Sequence, residues 1–293
     1  MSVRGESDPV PVTTPPRALQ SRRWRRIPLP GLIGLAVVVF WLVVALIGPR
    51  LAPYEVGNIV DADVFGAMSS RFPLGTDYLG RDMLSRILYG ARYTIGVALA
   101  ATVLACLAGT TFGMAAAAAG GWTDAVMSRA IDALISIPGK MFALVVVAAF
   151  GSSIPVLIIT AAIIYTPGSY RITRSLAVNV NALDFVQVAR ARGERTLYII
   201  REEILPNVVG PVLADFGLRF VYVVLLLSGL SFLGLGIQPP NADWGSLVRE
   251  NIGGLGEGAP AVVMPAFAIA TLTIAVNLMI DNLPSRHRVG SES

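Results

Sequence analysis

Charged side chains are scarce in the apolar stretches of this chain, so the few that occur there are the first candidates for chemistry. Asp215 and Arg219 stand four residues apart within the stretch Val208 to Gly236, which puts them on one face of a helix. An uncompensated charge at the centre of a membrane helix costs about 2.5–3.5 kcal/mol on insertion scales. The two are therefore expected to neutralise each other and to face protein or water, as a packing pair or as part of a pathway. Catalytic chemistry finds little to work with. The single histidine, His287, lies in the C-terminal tail, and the single cysteine, Cys106, lies in an apolar run. Neither His-Glu-x-x-His nor Gly-x-Ser-x-Gly occurs, which excludes the usual zinc and serine-nucleophile arrangements. The only lysine, Lys140, is not part of a phosphate-cradling glycine loop, and the glycines from Gly253 to Gly258 lack the spacing of a dinucleotide fingerprint. No cofactor or metal is expected, and any ATP hydrolysis belongs to another subunit.

A second group of informative residues lies between two apolar stretches, from Ala182 to Ile204. Phe185, Val188, Ala189, Leu197, Ile200 and Ile204 recur at spacings near three and four with Arg and Glu between them. The pattern predicts an amphipathic helical element interrupted at Gly193, a residue that adopts positive φ without penalty. Pro206 is expected to close the element before the next long helix. A helix lying on the membrane surface is the competing reading of the same periodicity.

The elements that hold these residues follow from composition. Hydrophobic residues make up 54% of the 293 and charged residues only 14%, with a mean hydropathy of +0.67. A soluble chain of this length needs more charge to cover its surface, whereas a bilayer accepts apolar surface directly. Six stretches can cross a hydrocarbon core: Leu29 to Leu51, Tyr93 to Ala119, Ala125 to Phe150, Ile154 to Thr166, Val208 to Gly236 and Ala259 to Ile280. The fourth is short and bounded by Pro155 and Pro167. Arginines cluster at residues 17–26, between Arg171 and Arg201, and at Arg286 and Arg288, which places both termini and the 182–206 segment in the cytoplasm. The basic clusters border apolar runs without interleaved aromatics, so they orient the chain in a membrane and do not indicate nucleic acid. The expected organisation is a polar, disordered tail over 1–28, a first span over 29–51, an external loop over 52–92, a five-span core over 93–283 and a cytoplasmic tail over 284–293.

Three separated motifs connect these elements to a known family. Gln187-Val188-Ala189-Arg190-Ala191-Arg192-Gly193, nine residues, then Glu203-Ile204-Leu205-Pro206 resembles the coupling loop of ATP-binding-cassette importer permeases, with Gln187, Val188 and Glu203 departing from its pattern. Phe72-Pro73-Leu74-Gly75-Thr76-Asp77-Tyr78-Leu79-Gly80-Arg81-Asp82, followed by Ser85 to Arg92, is similar to the segment before the second span in the second permease of dipeptide and oligopeptide importers. Ser231-Phe232-Leu233-Gly234-Leu235-Gly236, with Pro239-Pro240 and Trp244-Gly245 beyond it, is similar to the end of that family's fifth span. Locally, the glycines and Asp82 also read as turn and helix-cap chemistry. Asn277 and Asp281 resemble the Asn and Asp of the family's sixth span, whereas Leu227 stands where relatives often carry Glu.

The resemblance implies an all-α, polytopic bundle of six transmembrane helices with a cytoplasmic coupling helix, the type I importer permease fold. Phe185, Gln187, Val188, Ala189, Arg190, Gly193, Leu205 and Pro206 are then the residues that couple to an ATPase, and Asp215, Arg219, Asn277 and Asp281 are candidates for the pathway or its packing. The implied partners are a second homologous permease, two ATP-binding subunits and an extracytoplasmic substrate-binding protein, all around a chain embedded in membrane lipid. Short peptides are the expected cargo, with nickel complexes, glutathione or another small solute as alternatives. A stand-alone secondary transporter would have similar composition but no use for the coupling segment.

Overall fold

The computed structural model describes residues 28–282; their regular elements are all helical, joined by loops that carry only isolated β-bridges. The expected tails 1–28 and 284–293, including His287, lie outside the described residues except for Pro28. Helix α1 is Leu29–Leu51, α2 Met83–Ala119, α3 Gly121–Ile135, α4 Gly139–Phe150 and α5 Ile154–Asn181. Two short helices, α6 (Asp184–Ala191) and α7 (Thr196–Tyr198), precede a π-helical turn at Ile199–Ile204 that runs directly into α8, Leu205–Phe232. α9 (Trp244–Asn251) and α10 (Pro260–Asp281) complete the chain. Five helices are long and apolar enough to cross a membrane, and α3 with α4 makes a sixth if the bent pair is one span.

Several boundaries differ from the sequence reading for identifiable reasons. The Ala125 to Phe150 stretch is two helices bent by 78°, because Ile137 precedes Pro138 and is pushed out of helical conformation while the proline lacks a backbone donor. The fourth helix does not stop at Thr166; α5 continues through Pro167 to Asn181. At its other end α2 starts at Met83, ten residues before Tyr93, where the Asp82 carboxylate accepts from the Ser85 amide (2.8 Å) and hydroxyl (2.6 Å). That extra length is buried beneath loops: Ser85, Ile87, Gly90 and Ala91 are all inaccessible.

The centre of the bundle is α2 packed along α5. Small residues permit this approach: a Cβ on Gly109 would stand 2.8 Å from the Thr166 carbonyl, and one on Gly113 would stand 2.8 Å from that of Tyr170. Around this pair α8 and α10 complete a core of Ile87, Ile95, Leu157, Val223, Val224 and Leu272. α1 flanks it, turning Gly34 toward α10 and Gly48 toward α2, and Trp41 donates to Thr271 (3.1 Å).

At one end the loops form a lid held by charge. Asp77, wholly buried, accepts from Arg81 and Arg86 at 2.7 Å each, and Glu250 of α9 lies 2.8 Å from Arg86. The Tyr78 amide donates to Asn251 (3.0 Å), and the Trp244 indole donates to the Ile87 carbonyl (3.0 Å). Asp243 caps α9 through a reciprocal pair with Ser246, and burial pushes its carboxyl above the ordinary carboxylate range. At the opposite end Met114, Ala117, Ala118 and Ala177 receive the α6 to α8 connection.

Candidate functional site

The segment between α5 and α8 is built as an inward and an outward face. On α6, Val186 and Ala189 are buried, and Val186 packs with Met114, Ala118, Ile199, Ile204 and Val208. The other side leaves Phe185 43% and Val188 57% exposed, and Leu197 just beyond is 74% exposed. This divides the apolar set differently from the sequence reading, which grouped Phe185, Val188, Ala189, Leu197, Ile200 and Ile204 on one face. Val186, the innermost residue, was missed because its spacing to Ala189 is also helical. An apolar residue on an amphipathic helix can be held by its own chain or left for another, and periodicity does not say which.

Polar groups lock α6 to the bundle. The Arg190 guanidinium donates to the Ala118 carbonyl (3.0 Å) at the end of α2 and to the Asn181 side chain (2.9 Å) at the end of α5. Gln187 donates to the Asn181 carbonyl (2.8 Å), and Asn181 itself donates to Ala117 (3.2 Å). One side chain thus bonds to the last turns of both central helices and links α6 to α2 and α5. Asn181 escaped sequence reasoning because its partner lies 64 residues away.

Gly193 ends this unit with φ +81°, as the glycine signal predicts. No heavy atom lies within 4 Å of a Cβ built there, so its requirement comes from backbone conformation and not from a close helix crossing. Leu205 is partly buried and Pro206 is exposed. Pro206 does not close the element as expected: it stands in the first turn of α8, where its missing N–H costs nothing.

Within the bundle, Arg219 forms a bidentate pair with Asp215 at 2.6 and 2.8 Å, both side chains more than nine-tenths buried. A third guanidinium donor reaches the Tyr165 carbonyl at 3.1 Å. Gly168 makes the room: a Cβ there would lie 2.5 Å from the Arg219 guanidinium. The pair therefore braces α8 against α5 one residue beyond Pro167, and Gly168 and Tyr165 are the parts that sequence spacing did not flag. Asn277 is half-buried and Asp281 exposed; neither hydrogen-bonds to this pair among the described residues.

Known proteins resemble this chain over most of its length. Residues 109–289 match the model of a family described as binding-protein-dependent transport system inner membrane component. The chain is 30% identical over 253 residues to the dipeptide transport system permease protein of Alkalihalophilus pseudofirmus, covering 86% of this chain and 83% of that one. It is 32% identical over 263 residues to the glutathione transport system permease protein of Pectobacterium atrosepticum, covering 89% and 87%. The corresponding glutathione protein of Escherichia coli O157:H7 is 34% identical over 263 residues, covering 89% and 86%.

Proposed function

Since the chain belongs to the family of binding-protein-dependent transport system inner membrane components, and is thus a non-catalytic, multi-pass permease, we propose that it forms half of the path by which an ATP-driven importer takes up short peptides. The observation that carries this reading is the α6 unit: an exposed apolar patch of Phe185, Val188 and Leu197 on a helix tied by Arg190 to the ends of both central helices. A short amphipathic helix of this kind fits a groove on a partner. The partner here is an ATP-binding subunit, whose closure would move α6 and with it α2 and α5. A second, related permease supplies the other half of the path, with its own ATP-binding subunit, and a separate binding protein delivers cargo to the lid formed by Asp77, Arg86 and Glu250. Arginines from Arg171 to Arg201 set the α6 end, and with it both termini, in the bacterial cytoplasm.

Two relatives differ in cargo by their names, dipeptide for one and glutathione for the other. Both are short peptide-like molecules with free carboxylates, and this shared chemistry is the substrate class assigned here. Uptake of labelled dipeptides, longer oligopeptides, glutathione and nickel, compared in a strain lacking only this gene and in its complemented parent, tests the assignment. Loss of dipeptide or glutathione uptake with nickel uptake intact is expected. Loss of nickel uptake alone would overturn it.

A further inference from the structure

The only lysine of the chain, Lys140, forms no ion pair among the described residues. Lys140 stands in the first turn of α4, immediately after the 78° break from α3, and is exposed. Among the described residues of α1 to α5, α8 and α10, every acid except Asp281 is paired with an arginine: Asp124 with Arg174, Asp132 with Arg171, and Asp215 with Arg219. Asp281 is the last residue of α10, at that helix's end. Lys140 does nothing for α4 either, since a cation at a helix N-terminus opposes the helix dipole.

Its depth follows from its neighbours. A Cβ on Gly139 would meet Ile164 at 2.8 Å, which sets the start of α4 level with the third turn of α5. Ile164 is ten residues, or about 15 Å, from the beginning of α5, half of a hydrocarbon core about 30 Å thick. Lipid headgroups are thus beyond the reach of a four-carbon stem. By helical phase Lys140 shares the side of α4 that carries Ala143 and Val147, the two buried residues of that helix, opposite Met141 and Val145, although at the helix start it is itself exposed. At the same level Tyr165 of α5 donates to the Tyr222 carbonyl of α8 (2.9 Å), and their rings stack at 6.4 Å with Tyr222 52% exposed. A cation, the half-buried Tyr165 and the exposed Tyr222 thus lie at one level near mid-membrane, contributed by α4, α5 and α8. Charge at that depth is tolerated only beside water, protein or a ligand, and substrate sites near the midplane beside broken helices are a recurrent solution.

We propose that Lys140 is a specificity residue of the path, its ammonium taking the carboxylate of the passing substrate while the Tyr165–Tyr222 pair lines the passage beside it. The proposal rests on the importer reading above. It is tested with the complete transporter, two permeases and two ATP-binding subunits, in proteoliposomes supplied with its binding protein. Initial uptake of a dipeptide with a free C-terminal carboxylate is compared with uptake of its C-terminal amide. The ratio for Lys140→Leu is divided by the wild-type ratio, so that the binding protein's own preference cancels. The expected result is at least a tenfold fall in the carboxylate-to-amide ratio for Lys140→Leu, largely restored in Lys140→Arg, with amide uptake near wild type. An unchanged ratio with normal uptake would overturn the proposal while leaving the importer reading intact. Equal loss of both peptides, with the second permease no longer copurifying, would also overturn it, by showing that the lysine pairs with an acid of that subunit. If the wild-type complex takes up neither peptide, the importer reading falls and this proposal with it.

Discussion

Arg219 uses three donors on acceptors of the same bundle, two on Asp215 and one on the Tyr165 carbonyl, so its charge is spent inside the protein. Removing only one partner leaves a buried charge without compensation, which costs about 3–5 kcal/mol, whereas removing both leaves a smaller apolar void. Asp215→Asn and Arg219→Met should each lower the thermal stability of the purified complex more than the double substitution does. Strictly additive losses in that double-mutant cycle would show that the pair does not act as a unit. Gly168→Ala offers an independent view of the same contact, because its Cβ would fall against the guanidinium. Lys140 is the contrasting residue, a charge at similar depth with no partner of its own in the described chain.

At the level of elements, the proposed coupling role of α6 rests on the different ways in which its two faces are held. Val186 and Ala189 are buried and Arg190 is bonded to the ends of α2 and α5, yet Phe185 and Val188 are left open. Gly193 sets the turn that returns the chain toward α7 and α8, and its positive φ is costly for a β-branched residue by about 1–3 kcal/mol. Gly193→Val is expected to leave the membrane helices inserted while weakening copurification of the ATP-binding subunits and peptide uptake. Gly193→Asn should retain most of both, since asparagine tolerates the left-handed region and open space surrounds the site. Equal failure of Asn and Val would mean that bulk, not backbone conformation, is what the position excludes.

The whole molecule divides its tasks between two ends of one bundle. A lid stabilised by the buried Asp77 and its arginines closes one end, α6 closes the other, and α2 with α5 runs between them. Nothing in the sequence provides a nucleotide-binding loop, so the purified chain should show no ATPase activity above background, with or without peptide. Stimulated hydrolysis should arise only on adding the ATP-binding subunits together with the second permease. Hydrolysis by the isolated chain, persisting after further purification, would contradict that division.

Much of this was determined by local sequence. Apolar runs of membrane length, the arginine clusters, the cap at Asp82, the turn at Gly193 and the four-residue spacing of Asp215 and Arg219 each depend on neighbours close in the chain. The order of three separated motifs carried the family resemblance, and the comparisons agree with it. The break at Pro138, the continuation of α5 through Pro167 and the inward turn of Val186 depend on what packs against them, which periodicity does not record. Only the tertiary structure brought Asn181 under Arg190, Gly168 under Arg219, and Lys140 level with Tyr165 and Tyr222. Those relations join residues 9 to 82 positions apart across different helices. A hydrophobic pattern specifies which side of each helix is buried, but the depth and partner of a polar group are decided by how the helices pack.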